Sequence, residues 1–169
     1  PDGVVGPRRE KEGSYYAIRA QWSPIQLKPL LITNHFDGSF LLTNEYTFTN
    51  LKDCRMTYKV LSCGTPLQGN AEAGKVIVEG KVQLPSINPG ETGTARFELP
   101  DSFREGDVLE LEAFDREGKS ICNWTYPIHL AKQYFERNLA QTTLTPAPQK
   151  AEARQTSDAI ELKSSIVSI

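Results

Sequence analysis

Phe40-Leu41-Leu42-Thr43-Asn44-Glu45-Tyr46-Thr47-Phe48-Thr49 is the stretch that decides the fold class. Phe40, Leu42, Asn44, Tyr46 and Phe48 fall on one side of a two-residue period, and Leu41, Thr43, Glu45, Thr47 and Thr49 on the other. Alternation with β-branched and aromatic residues predicts a strand over residues 40–49, one face apolar and the other rich in Thr. The same period recurs downstream. Cys54, Met56, Tyr58 and Val60 alternate with Arg55, Thr57 and Lys59; residues 76–84 form a third run, interrupted at Gly80. Ala95, Phe97 and Leu99, then Leu109, Leu111 and Ala113, mark two more, and residues 121–131 a last long one. Turn-forming residues separate these runs at 62–64, at Asn88-Pro89-Gly90, at 104–107 and at 115–118. Short strands with one apolar face each bury it most economically as two antiparallel sheets packed face to face. The fold class read from this pattern is all-β, an immunoglobulin-like antiparallel β-sandwich. It lacks the Cys-Trp-Cys arrangement of antibody domains, so the likeness is one of architecture.

The flanks read differently. Residues 1–12 hold Gly3, Gly6 and Pro7 and a charged run, and read as a surface loop. Tyr15, Ile18 and Trp22 recur at helical spacing, predicting a helix over residues 14–22 with Ser14 as N-cap and Pro24 as its terminator. After Leu139, Pro146 and Pro148 among Thr, Ala and Gln mark a linker, and Ile160, Leu162, Ile166 and Val167 read as the start of a following β domain. The expected organisation is an exit segment with a short helix over 1–22, the sandwich over 23–139, a linker over 140–156 and the first strand of a truncated domain over 157–169. The chain opens at Pro1 without an initiator Met and reads as a piece of a longer protein.

The net charge of −2 argues against a dedicated nucleic-acid binder. No apolar run approaches the ~20 residues that span a bilayer. Cys54, Cys63 and Cys122 are odd in number and form no CxxC pair, which fits neither a zinc site nor a disulfide scaffold. Cys54 and Cys122 sit in strand patterns as small hydrophobes, and spacing leaves a disulfide between two of the three open.

Thr43-Asn44-Glu45-Tyr46-Thr47-Phe48, Met56-Thr57-Tyr58-Lys59-Val60 and Lys81-Val82-Gln83-Leu84-Pro85-Ser86-Ile87-Asn88-Pro89-Gly90-Glu91 together resemble the fourth domain of glycoside hydrolase family 2 β-galactosidases. Ile128-His129-Leu130-Ala131-Lys132-Gln133-Tyr134-Phe135 is similar to the end of that domain, and Gly3-Val4-Val5-Gly6-Pro7-Arg8-Arg9 with residues 15–25 to the segment entering it from the catalytic barrel. The resemblance runs in order from Pro1 to Leu139, with Tyr58 where the family usually has Trp. It implies a non-catalytic spacer in a parent that hydrolyses terminal β-galactosides with retention. That chemistry uses two Glu carboxylates about 5–5.5 Å apart, carried on a barrel outside this chain. The implied partners are the neighbouring domains of the parent, a homo-oligomer of the parent being a further one, with substrate bound elsewhere and neither nucleic acid nor membrane involved.

Within the chain the expectation is therefore no catalytic, cofactor-binding or metal-ligating residue. Glu110 and Glu112 share one strand face, but they alternate with core residues and should point to solvent, where neither carboxyl is raised for acid catalysis. His35 and His129 lack a nearby Ser or Asp partner and are too isolated for a metal site. Asn123-Trp124-Thr125 matches a glycosylation acceptor within a strand. Two alternatives stand beside the spacer reading. One is a carbohydrate-binding module in which Trp22, Trp124, Tyr126, Tyr134 and Phe135 form a stacking platform; the other is an adhesion-type module. Against the first, Trp124 and Tyr126 should fill the sandwich while Trp22 packs at a domain junction.

Overall fold

The computed structural model describes residues 3–63, 74–141, 152–155 and 160–163. It divides into two compact units, Pro1–Tyr134 and Phe135–Ile169. The first is the sandwich. Helix α1 (Gly13–Gln21) leads into β1 (Ile25–Leu27), β2 (Ser39–Asn44), β3 (Arg55–Ser62), β4 (Lys75–Val82), β5 (Thr92–Arg96), β6 (Val108–Phe114) and β7 (Ser120–Pro127). Every pairing is antiparallel, and the strands form a three-stranded sheet in the order β1-β2-β5 and a four-stranded sheet in the order β4-β3-β6-β7. The chain is an all-β, immunoglobulin-like sandwich.

The period of two accounts for the core. Phe40, Leu42 and Ala95 point inward from one sheet; Met56, Tyr58, Val60, Leu109, Leu111 and Ala113 point inward from the other, all of them buried. Phe97 just beyond β5 stacks on Tyr58 with ring centroids 4.4 Å apart. Ile87, Leu51, Phe103 and Ile128 close the core from the connections. Gly80, the interruption in the third run, lies opposite Tyr58 in the ladder. A Cβ there would stand 2.6 Å from the Tyr58 ring, so the strand has room for the aromatic only because position 80 carries no side chain. Gly38 is required for a second reason: it takes φ +86°, and a Cβ would run into the Phe97 carbonyl.

Several expected boundaries move. The strand expected over 40–49 ends at Asn44, because the Asn44 side chain takes over the backbone bonding beyond it: its Oδ1 accepts from Tyr46 N–H, and its Nδ2 donates to the carbonyls of Thr49 and Ile87. Tyr46 is consequently half-buried and Phe48 is 94% exposed, not a core residue. Cys54 closes a 3-10 turn at Leu51–Asp53 and lies just before β3. The last strand stops at Pro127, after which Ile128 N–H donates to Asp107 O and the chain enters a helix, α2 (Ala131–Gln141), absent from the sequence reading. Its start carries a capping bond, Leu130 N–H to Gln133 Oε1 at 3.0 Å. Helix α1 begins one residue early, with Glu12 as N-cap. Ser14 is therefore inside the first turn and donates to Gly3 O at 3.2 Å, capping nothing.

In the second unit, β8 (Glu152–Gln155) pairs antiparallel with β9 (Ile160–Lys163). Its first strand comes from the stretch read as linker. The prolines of that linker, the loop over residues 64–73 and the apolar residues Ile166, Val167 and Ile169 lie outside the described residues.

Candidate functional site

Glu110 and Glu112 occupy alternate positions of β6 between buried Leu109, Leu111 and Ala113, so both side chains leave on the outer face of the four-stranded sheet. Each is engaged by a neighbour there. Lys59, directly across the ladder, places its Nζ 4.0 Å from Glu110. Ser120 Oγ donates to Glu112 Oε1 at 2.7 Å, and the same Oγ accepts from Arg19 Nη2 at 2.7 Å. Both carboxylates thus lie on the outer sheet face, Glu110 beside Lys59 and Glu112 bonded to Ser120. His35 is an exposed loop residue whose backbone N–H donates to Thr33 Oγ1. His129 is half-buried, with Nε2 2.9 Å from the carbonyl oxygen of Arg104. The two histidines are not brought together with the glutamates.

The three cysteines are free thiols: Cys122 is buried, Cys54 and Cys63 half-buried. Burial pushes all three thiols above their ordinary range, the opposite of what a nucleophile or metal ligand needs. Among the described residues no three His, Cys, Asp or Glu side chains come together as a metal-binding group. Asn123 and Thr125 are exposed on the outer face of the edge strand β7, and Trp124 between them points inward.

Within the first unit, Trp22, Trp124, Tyr126 and Tyr134 do not form one platform. Trp124 and Tyr126 turn toward the core and pack against it, where burial pushes the Tyr126 phenol up to about 12. Tyr134 donates its hydroxyl to Cys63 O. Phe135 belongs to the second unit and is 63% exposed. Trp22 stands out in solvent, 80% exposed.

What the strand pattern did not reveal is where the apolar surface lies. In the Pro1–Tyr134 unit, the four large apolar side chains most exposed among the described residues are Phe48, Trp22, Leu31 and Leu130. They divide between the two ends of the sandwich. At one end the α1–β1 junction, residues 45–54, residues 83–91 and residues 115–119 converge. They are tied by Glu45 N–H to Pro24 O at 2.8 Å, Asn50 Nδ2 to Asn88 Oδ1 at 2.9 Å, and Arg19 to the carbonyls of Ser120 and Ile121 at 3.0 and 2.7 Å. Trp22 and Phe48 emerge here. At the other end, Arg104 donates to Thr33 O and Asp107 accepts from Cys63 N–H. There Leu31 and Leu130 border an apolar groove of ≈ 350 Å³ that Val108, Pro127 and Tyr134 help to line. The outer sheet faces between the ends carry mainly Lys59, Lys81, Arg96, Glu110, Glu112 and threonines, with Leu41 of β2 about half exposed among them.

No curated protein matches the sequence. Among solved structures, the exo-chitosanase CsxA of Amycolatopsis orientalis is similar at 14% identity, covering 96% of this chain and 20% of that one with a TM-score of 0.37. Two complexes of variants of the same enzyme with PNP-beta-D-glucosamine match at 14% identity and a TM-score of 0.36, with the same coverage. The chain thus spans about a fifth of the length of the solved structures it matches. The family model "Beta-galactosidase, domain 4" matches residues 40–126, from the inward Phe40 of β2 to Tyr126 of β7, which is more than half of the chain. The chain therefore belongs to the β-galactosidase domain 4 family, a non-catalytic domain of glycoside hydrolases.

Proposed function

We propose that this chain is the immunoglobulin-like spacer of a multidomain family 2 glycoside hydrolase, packed end-on between neighbouring domains, and that its parent hydrolyses terminal β-galactosides with retention. The observation that carries the spacer reading is the distribution of exposed apolar side chains. The four most exposed of them in the first unit fall at the ends, Trp22 and Phe48 at one and Leu31 and Leu130 at the other; the strands between carry mainly charged or hydroxyl side chains, with Leu41 and Val76 less exposed among them. Contiguous apolar exposure marks surfaces meant to be covered, and a domain in the middle of a chain of domains needs two such surfaces at opposite ends.

In this reading residues 1–22 are the segment leaving the catalytic barrel and 23–139 the spacer, and the linker that follows is shorter than the expected 140–156, because the next domain opens with the paired strands β8 and β9. The partners are the flanking domains, a homo-oligomer of the parent being a further one. Galactoside specificity rests on the name of the matching family alone, and the sugar is bound elsewhere in the parent. The test is an assay with nitrophenyl β-galactoside of this chain and of the parent. The parent turns it over with retention of anomeric configuration, and the chain alone gives no rate above buffer. Glu110→Gln and Glu112→Gln in the parent leave its kcat/KM unchanged. Turnover by the chain alone that either substitution removes would overturn the spacer reading, and a parent inert toward β-galactosides but active on another β-glycoside would overturn the galactoside part only.

A further inference from the structure

We infer that the loop over residues 45–50 is a docking finger, with Phe48 as the anchor that seats in an apolar pocket of the domain preceding this one in the parent. The inference rests on the spacer reading and adds to it a second, independent contact besides the exit segment.

Three observations carry it. Phe48 is 94% exposed, the most exposed of the large apolar side chains described. Its loop is nonetheless fixed from both sides. Asn44 is fully buried and holds the loop from inside, accepting from Tyr46 N–H at 3.0 Å and donating to Thr49 O at 2.9 Å. Asn50 holds the far side, accepting from Lys52 N–H and donating to Ser86 Oγ and Asn88 Oδ1. A phenyl ring presented to water by a preorganised loop has little ordering entropy left to lose on docking, which is the character of an interface anchor. A ring exposed by chance would instead be expected on a loop free to fold it back.

The third observation names the occupant. The finger is bonded to the chain entry through Glu45 N–H and Pro24 O at 2.8 Å. Pro24 follows Trp22 at the end of α1, a nine-residue helix with no buried residue. A helix that short is not stable by itself in water, and within the chain α1 is tied to the sandwich by the Arg19 contacts with β7. Tyr16 and Trp22 are left exposed and need cover from outside, and Phe48 shares the Trp22 end of the sandwich. A fourth domain of a glycosidase has preceding domains to supply it. The partner is the apolar surface of the domain joined to α1, with no requirement for sugar or for a second copy.

Hydroxyl-radical footprinting of the intact parent, read at the level of single residues, tests this. Phe48 and Trp22 should both oxidise several-fold more slowly than exposed Tyr and Phe side chains in the unfolded protein, at all protein concentrations and without ligand. Phe48→Ser in the parent should split a single thermal unfolding transition into two, and Phe48→Leu should restore one. Protection of Trp22 with Phe48 fully reactive would overturn the finger and leave the spacer reading standing. Full reactivity of both would overturn the two together. Protection of Phe48 that appears only with a β-galactan oligosaccharide would make it a sugar-stacking residue, and protection lost on dilution would make it a contact between copies. Either result overturns the inference.

Discussion

Asn44 sits inside a run of alternating residues that reads as one continuous strand, and its amide ends that strand by bonding the loop that follows. A buried amide with its three bonds satisfied is stable only in this geometry, since each bond lost leaves a polar group without water. Asn44→Leu leaves the Ile87 and Thr49 carbonyls and the Tyr46 amide without their side-chain partner. The expected loss is about 2–4 kcal/mol, read as a lower urea midpoint at unchanged slope. Gly80 makes the complementary case, where the residue matters for what it lacks. Gly80→Ala forces a methyl group against the Tyr58 ring and through it against Phe97. Overpacking of this kind costs about 1–3 kcal/mol, and the cost should shrink in a Tyr58→Leu background; equal costs in both backgrounds would show that the ring is not the obstacle. Asn44 was visible in the sequence as a polar residue on an apolar face. Its role as a strand terminator was not, because the carbonyl it bonds at Ile87 is supplied 43 residues away.

At the scale of elements, the strands and helix α1 were legible and helix α2 was not. A two-residue period survives any change of neighbour, because the pleat itself sends alternate side chains to opposite faces. Helix α1 has no such guarantee, with no buried face and its hold on the sandwich lying in the Arg19 guanidinium at the edge of β7. Arg19→Ala should accordingly loosen α1 while changing the global unfolding free energy by less than about 1 kcal/mol. Amide hydrogen exchange would then accelerate over residues 16–22 and stay unchanged in β3 and β6; uniform acceleration would mean that α1 is part of the cooperative core. Strand β7 behaves differently. Trp124 packs on the core but is only half-buried, so Trp124→Ala should cost about 2 kcal/mol, below the 3–5 of a fully buried aromatic. Titration with galactose, lactose and a β-galactan oligosaccharide should give no saturable change in Trp fluorescence, whereas saturable binding abolished at Trp22 would revive the carbohydrate-binding alternative.

The whole molecule sets its own limit at alkaline pH. Burial pushes the Tyr126 phenol up to about 12, and burial together with the neighbouring Cys54 thiol does the same for Tyr46. Cys54, Cys63 and Cys122 are raised from 9.0 mainly by burial. A group whose folded pKa exceeds its unfolded value binds more protons in the folded state, so stability falls as pH rises from the unfolded value through the folded one. These groups therefore contribute their full stabilisation below about pH 9, and the urea midpoint should decline progressively between about pH 9 and 12. A midpoint that is flat over that interval would contradict the burial of these side chains. The sequence by itself determined the two-sheet fold, the inward residues of the paired strands such as Phe40, Leu42, Met56, Tyr58, Leu109, Leu111 and Trp124, and the family resemblance, because alternation and local motifs are properties of neighbouring residues. It also indicated that Glu110 and Glu112 face outward, since they alternate with Leu109, Leu111 and Ala113. Only the tertiary structure decided that Phe48 leaves the core, that Trp22 and Phe48 share one end, and that Leu31 and Leu130 share the other. Those outcomes depend on which connections meet at each end of the sandwich, and contacts between residues far apart in the chain leave no periodic trace along it.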